Sequence, residues 1–181
     1  MHKLDNPERR EILPPEKILS LTGLKEGDTF LDIGAGTGFF AIPAADITGK
    51  TGKVIAADIS PEMLNELKSR HKSSRGNIEF LLSREEGLDL ETGIADMVFM
   101  AFILHEINDV KSYLEEVHRV LKPGGKFAVV EWEKKEMPGG PPLQERIDSD
   151  DAAGIITEQS FSLIRSEAVN QFNYFLLFDR E

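Results

Sequence analysis

The chain has 181 residues, 40% of them hydrophobic and 29% charged, which suits one globular domain with a real core and leaves no room for a second full domain. Its formal net charge of −11 disfavours binding to nucleic acid or anionic lipid, because phosphate backbones are held mainly by Lys and Arg. With no cysteine at all, disulfides, thiolate metal sites and thiol nucleophiles are excluded.

The N-terminus, MHKLDNPERREILPPEK, is charged and broken by proline, unlike a signal peptide or a membrane span, and no apolar run elsewhere reaches membrane length. This predicts a cytoplasmic protein without stable membrane insertion. Residues 1–30 read as a helical preamble: ERREIL, a break at Pro14-Pro15, then EKILSLTGL closing at Gly23. Apolar runs of strand length follow at TFLDIG, VIAADI (54–59), IEFLL (78–82), ADMVFMAF (95–102) and KFAVVEW (126–132). Runs apolar on both faces suit central parallel strands covered by helices. Ser60 and Pro61 open a helix at SPEML, as N-cap and first helical residue. In DVKSYLEEVHRVL, Val110, Leu114, Val117 and Leu121 form one apolar stripe, and Pro123-Gly124-Gly125 ends it. MPGGPP (137–142) is irregular and long enough to be a loop with a job. A short helix through DDAAGIITEQS comes next, and then FSLIRSEAV and FNYFLLFDR, two strand-like runs with almost no chain between them. They must form an antiparallel hairpin, since a parallel crossover needs about a dozen residues or more.

This alternation predicts an α/β fold, a Rossmann-like doubly wound sheet of seven strands, mostly parallel with an antiparallel C-terminal hairpin strand. Homo-oligomerisation stays open, through FNYFLLF, if that strand lies at a sheet edge.

The glycine run LDIGAGTGFF, residues 31–40, has Gly34, Gly36 and Gly38 in the spacing G-x-G-x-G. A dinucleotide loop carries its third glycine one place later, where Phe39 stands, and no Gly-Lys-Ser/Thr follows to make a phosphate-cradling P-loop. Asp32, just before the glycines, would repel a pyrophosphate but can pair with a ligand ammonium. Asp58 ends the second strand run, where an acidic residue can accept both hydroxyls of a ribose. The set suits a nucleoside that carries an amine and no phosphate.

Taken together, LDIGAGTG, VIAADIS, ADMVFMAFILHEI and RVLKPGGKFAVVEW resemble the class I S-adenosylmethionine-dependent methyltransferases over residues 28–132, and the terminal hairpin resembles that family's last two strands. SPEML, LHEI, RVLKPGG and WEKKEMPGGPP are similar to the small-molecule methyltransferases of ubiquinone and menaquinone biosynthesis. The resemblance implies S-adenosylmethionine as cofactor, S-adenosylhomocysteine as product, and in-line methyl transfer to a small-molecule acceptor. By it, Gly34, Ala35, Gly36 and Gly38 wrap the methionine end, and Asp32 orients the amino group directly or through water. Asp58 then holds the ribose, and Ile59 and Met63 pack on the adenine. Ser83, Arg84 and Glu85 contact the adenine edge, although the family has an aspartate where Ser83 stands. Met100 and Ala101 end the fourth strand against the cofactor. Residues 1–181 then form one methyltransferase domain: a helical cap (1–27), a cofactor-binding core (28–132), and an acceptor-side loop, helix and hairpin (133–181).

His105 follows the fourth strand, where an imidazole can take a proton from a substrate hydroxyl or amine; its other role is to shape the pocket or bond backbone. His2, His71 and His118 carry no assigned role. The HEI at 105–107 lacks the second histidine of a zinc protease motif, Asp109 occupying its place, and DSDD at 148–151 reads as a helix start, so no metal is expected. Trp132 reads equally as an acceptor-pocket wall or as packing under the hairpin. Phe39, Phe40, Phe102 and Leu104 can form an apolar groove or belong to the core. Met63, Met97, Phe99 and Met100 read as core except where strand ends reach a cleft. Two readings from other classes remain: an NAD-dependent oxidoreductase, against which Phe39 argues, and a cofactor-binding regulatory protein without turnover.

Overall fold

The computed structural model describes residues 7–70 and 76–181; His2 and His71 lie outside them. Two short helices come first, α1 (Pro7–Ile12) and α2 (Pro15–Thr22), divided at Pro14. Pro15 opens α2 at a position that needs no N–H, and Gly23 stops it in the left-handed conformation at φ +78°. The remaining elements are β1 (Thr29–Ile33), α3 (Ala41–Thr48), β2 (Lys53–Asp58), α4 (Pro61–Arg70), β3 (Ile78–Leu82), β4 (Ala95–Ala101), α5 (Val110–Val120), β5 (Leu121–Trp132), α6 (Ser149–Thr157), β6 (Phe161–Asn170) and β7 (Asn173–Arg180). They build one seven-stranded sheet in the order β3-β2-β1-β4-β5-β7-β6. The first five strands are parallel, β7 runs antiparallel to β5, and β6 antiparallel to β7. This is the doubly wound α/β sheet with an antiparallel C-terminal hairpin that the sequence predicts.

Alternation along the strands sends side chains to two cores. Phe30, Val54, Met97 and Phe99 pack with Ile18 and Leu19 of α2 and Ala41 and Ala44 of α3. Leu31, Ile55, Val98 and Phe127 face the other way, against Leu114 and Val117 of α5 and Ile156 of α6. Each such fully buried aliphatic or aromatic side chain stabilises the fold by roughly 1.5–3 kcal/mol. Asp109 caps α5 by accepting from the Ser112 N–H, and Asp148 caps α6 in the same way from Asp150, so DSDD is a helix start. No helix among the described residues is long and apolar enough to cross a membrane.

Two expectations are corrected. The amphipathic helix ends at Val120, and Leu121 already belongs to β5. Ala95 pairs with Leu121 and Met97 with Lys126, so residues 122–125, including the Pro-Gly-Gly turn, loop out as a bulge within the strand. The FNYFLLF strand is not at an edge: β7 is hydrogen-bonded on both sides, by β5 and β6, and this closes it to pairing with another subunit. Its nearly continuous burial suits that interior place, whereas β6 is mostly exposed.

Gly38 has a structural task. It sits at φ +92°, and a Cβ there would lie 2.2 Å from Leu67 Cδ1 of α4. Gly38→Ala therefore combines left-handed backbone strain with overpacking, a loss of roughly 2–5 kcal/mol that thermal unfolding should read as a Tm lower by about 5–15 °C. An unchanged Tm would mean that the contact with α4 carries no constraint.

Candidate active site

The winding reverses between β1 and β4, and in such sheets the crevice beyond the carboxyl ends of the strands at that switch point receives ligands. A cavity of about 1140 Å³ opens there. It exceeds the roughly 300–1,000 Å³ of a cleft for one small ligand, so two molecules can share it. Of the residues singled out in the sequence, Asp32, Gly34, Ala35, Gly36, Asp58, Ile59, Met63, Ser83, Arg84, Glu85, Ala101 and His105 line it. Gly38 and Met100 do not. Gly38 is turned to Leu67, and the Met100 side chain is fully buried in the core shared with α5, because strand alternation gives the pocket to its neighbour Ala101. Leu104 is core as well, whereas Phe39, Phe40, Phe102 and Trp132 line the cavity.

Two aspartates, from β1 and from the end of β2, line the cavity. The pleat of β1 puts Asp32 on the α3 side, where the backbone N–H of Ala41 donates to its carboxylate. Its other oxygen, Oδ2, is buried without a hydrogen-bond partner. Burial first, and the nearby Asp58 second, push its pKa up to about 8. A buried acceptor left unmet costs free energy that a cationic N–H donor would recover. Asp58 ties the glycine turn to β2: Oδ2 accepts from the Gly36 N–H at 2.8 Å and Oδ1 from the Ser60 N–H at 2.8 Å. Gly34 and Ala35 both donate to the Ala57 carbonyl, at 2.9 and 3.0 Å. Gly36 lies at φ +53°, and nothing stands within 4 Å of where its Cβ would be except the Gly34 carbonyl at that limit. The turn is thus a rigid backbone cradle open to the cavity. Ser60 Oγ accepts from the Met63 N–H and caps α4, as its sequence position predicts. Ile59 is 58% exposed although large and apolar, and it forms a platform in the cavity wall.

His105 lines the same cavity from a one-turn 3-10 helix (Leu104–Glu106) after β4. Its Nδ1 lies 2.9 and 3.0 Å from the two carboxylate oxygens of Glu131, a residue of the neighbouring β5 that is only 2% exposed. The Trp132 N–H also donates to Glu131, at 3.0 Å. Burial opposes charge on the imidazole, but the hydrogen bond and charge of Glu131, with Glu106 and Glu145 adding, raise the His105 pKa above its ordinary value. Phe102 is held in the left-handed region at φ +62°, with its ring 4.8 Å from that of Trp132. Gly140 packs on the face of Trp132, in a loop gathered by Arg146. The buried Arg146 guanidinium donates to the carbonyls of Lys135, Gly139 and Pro141. Trp132 is therefore a wall of the cavity. Sequence reasoning missed Glu131, whose signal was a lone carboxylate in the apolar run KFAVVEW, and Arg9, which also lines the cavity.

A model of the ubiE/COQ5 methyltransferase family matches residues 12–141. The chain belongs to this family. Among relatives, the ubiquinone/menaquinone biosynthesis C-methyltransferase UbiE of Hydrogenovibrio crunogenus is 34% identical over 122 residues, covering 66% of this chain and 48% of that protein. The same-named protein of Ectopseudomonas mendocina is 36% identical over 133 residues, covering 72% and 51%. The chain spans about half the length of these curated relatives. The crystal structure of a SAM-dependent methyltransferase from Aquifex aeolicus superposes with a TM-score of 0.94 at 35% identity, over 99% of this chain and 96% of that one. The [4+2]-cyclase SpnF also superposes, at TM-score 0.80 and 17% identity over 93% and 81%, so the fold by itself does not decide the chemistry. In this member of the ubiE/COQ5 family, both aspartates, the glycine cradle, His105 and Glu131 lie within the matched segment, while Arg9 and Arg146 lie outside it.

Proposed function

We propose that the chain is an S-adenosylmethionine-dependent methyltransferase acting on a small-molecule acceptor, with residues 1–181 forming one domain: a helical cap (1–27), a cofactor core (28–132) and an acceptor side (133–181). The observation that carries this reading is the buried, unpartnered Oδ2 of Asp32 beside the open Gly36 cradle and Asp58. Once ionised, an acid so placed suits an ammonium and repels the pyrophosphate of a dinucleotide. When bound, S-adenosylmethionine supplies a methyl group already activated on a sulfonium for in-line transfer. Asp32 meets its amino group, and Gly34, Ala35 and Gly36 line its methionine end. Each oxygen of Asp58 keeps a second lone pair beyond the backbone N–H it accepts, and these receive the ribose hydroxyls. Ile59 and Met63 give the adenine an apolar face, Ser83, Arg84 and Glu85 its edge, and Ala101 closes the site from β4. With Nδ1–H held on Glu131, His105 presents Nε2 as the base for an acceptor hydroxyl or amine.

Calorimetric titration tests the reading. S-adenosylmethionine and S-adenosylhomocysteine should bind, NAD should not, and Asp58→Ala should weaken binding roughly 100-fold by removing two charge-assisted hydrogen bonds. Binding of NAD alone would overturn it. Methyl transfer measured across a panel of small acceptors separates an enzyme from a binding protein without turnover.

A further inference from the structure

The outermost strand, β6, is hydrogen-bonded to β7 on one side and to no strand among the described residues on the other. Its sequence, FSLIRSEAVN, holds no proline, one cation and one anion, and residues 162–168 are all exposed. Leu163 and Ile164 are 43% and 47% exposed although large and apolar. A bare strand edge of this kind is a template for another strand. We propose that β6 is an interface for a second copy of this chain, the two strands pairing antiparallel about a twofold axis at Ser166, so that Arg165 of each copy faces the partner's Glu167. The inference is independent of the methyltransferase reading.

Charge selects both the occupant and the register. Bulges at Ile164 and Val169 bend β6 on either side and confine regular pairing to the stretch between them, where Arg165 pairs with Leu177, Ser166 with Leu176, Glu167 with Phe175 and Ala168 with Tyr174. Directly opposed residues of an antiparallel pair share a face of the sheet, so the axis of a symmetric pair falls on a residue and not between two. An axis at Arg165 or at Glu167 sets a like charge against itself, and one at Ala168 leaves both charges facing neutral residues. An axis at Ser166 sets Arg165 opposite the partner's Glu167 twice over and brings the exposed Ile164 opposite the partner's Ala168. Within one copy Arg165 Nη1 lies 3.5 Å from Glu167 Oε1, so the two side chains already share a face, and at 42% and 44% exposure both are open to a partner. Pairing joins the two ion pairs into a network of four charges. The opposite edge of the sheet, β3, has no such pattern: it is five residues long, and its one charged residue, Glu79, is paired with Lys53 of β2 at 2.8 Å.

Sedimentation velocity reads the association at about 0.15 M salt, where a Debye length of about 8 Å screens the repulsion between two copies of net charge −11 but not a pair in contact. The native chain should pass from monomer to dimer as its concentration rises from about 1 μM to about 1 mM, the range of a short edge contact. Arg165→Glu and Glu167→Arg each turn two facing pairs into like charges and should weaken the dimer about tenfold or more. The double variant Arg165→Glu/Glu167→Arg rebuilds both pairs with reversed sign and should return the dissociation constant to within about threefold of the native one. Because both positions are exposed, the Tm of each variant as dilute monomer should stay within about 3 °C of the native value, which shows that the variants fold. A native chain that stays monomeric throughout, a dimer indifferent to either single change, or a double variant no tighter than the single ones overturns the inference.

Discussion

His105→Ala is expected to lower the rate of methyl transfer by roughly 10²–10⁴-fold, the range of a positioned general base, while leaving affinity for S-adenosylhomocysteine within about twofold. On the proposed reading the split arises because Asp32 and Asp58, and not His105, hold the cofactor. Glu131→Gln is the more informative variant. The carboxylate holds the imidazole by two contacts at 2.9 and 3.0 Å and supplies the negative charge that raises its pKa above 6.5. A base must be neutral to act, so activity in the native protein should rise with pH along a limb centred above 6.5. With glutamine there, the attraction is gone and burial remains, so the limb should move to lower pH. The plateau should also fall, because an amide no longer dictates which ring nitrogen carries the proton. The stability sign is opposite. A raised histidine pKa contributes stability that is fully present below 6.5 and lost as pH rises through the raised value, so the gap in Tm between the native protein and Glu131→Gln should narrow over that rise. Turnover and pH profile unchanged in both variants would make His105 a wall of the pocket and no more.

How much of this was legible in the chain depends on how local each feature is. Asp32, Gly36 and Asp58 were readable because a strand end, a tight turn and a second strand end fix their places through immediate neighbours. Gly38 belongs to the same run, yet its task is a contact with Leu67, far along the chain, and no glycine spacing announces that. Met100 and Ala101 differ by one step of the pleat, which sends one side chain to the core and the other to the cavity. Glu131 escaped because its partner His105 is 26 residues away on the neighbouring segment, so only the pairing of β4 with β5 brings the two together. The place of β7 inside the sheet was also a matter of spatial order, although the contrast between a continuous apolar run and the more polar FSLIRSEAV already pointed to which strand of the hairpin is covered.

The second large effect belongs to Asp32. With a pKa of about 8, the empty protein carries this carboxyl mostly protonated at pH 7, whereas an ammonium requires it ionised. Binding of S-adenosylmethionine or S-adenosylhomocysteine should therefore release close to one proton at pH 7, read by calorimetry in buffers of different ionisation enthalpy, and close to none at about pH 9. Apparent affinity should rise with pH up to about 8 and then level, for as long as the ammonium stays charged. For the empty protein the linkage runs the other way. The folded pKa lies above the ordinary value of 3.8, so the contribution of Asp32 to stability is fully present below about pH 4 and is lost as pH rises through about 8. Asp32→Asn removes that loss. It should leave the empty protein more stable than the native one at about pH 8–9 and weaken cofactor binding by about 2–5 kcal/mol, the cost of deleting one side of a buried charge pair. On the proposed reading such a variant gains stability while losing its ligand, because the acid is kept, against the interest of the fold, for the ammonium of that ligand. Binding without proton release at pH 7, together with native affinity in Asp32→Asn, would separate Asp32 from the ligand altogether, and the buried Oδ2 would then be a cost of the fold with no ligand to offset it.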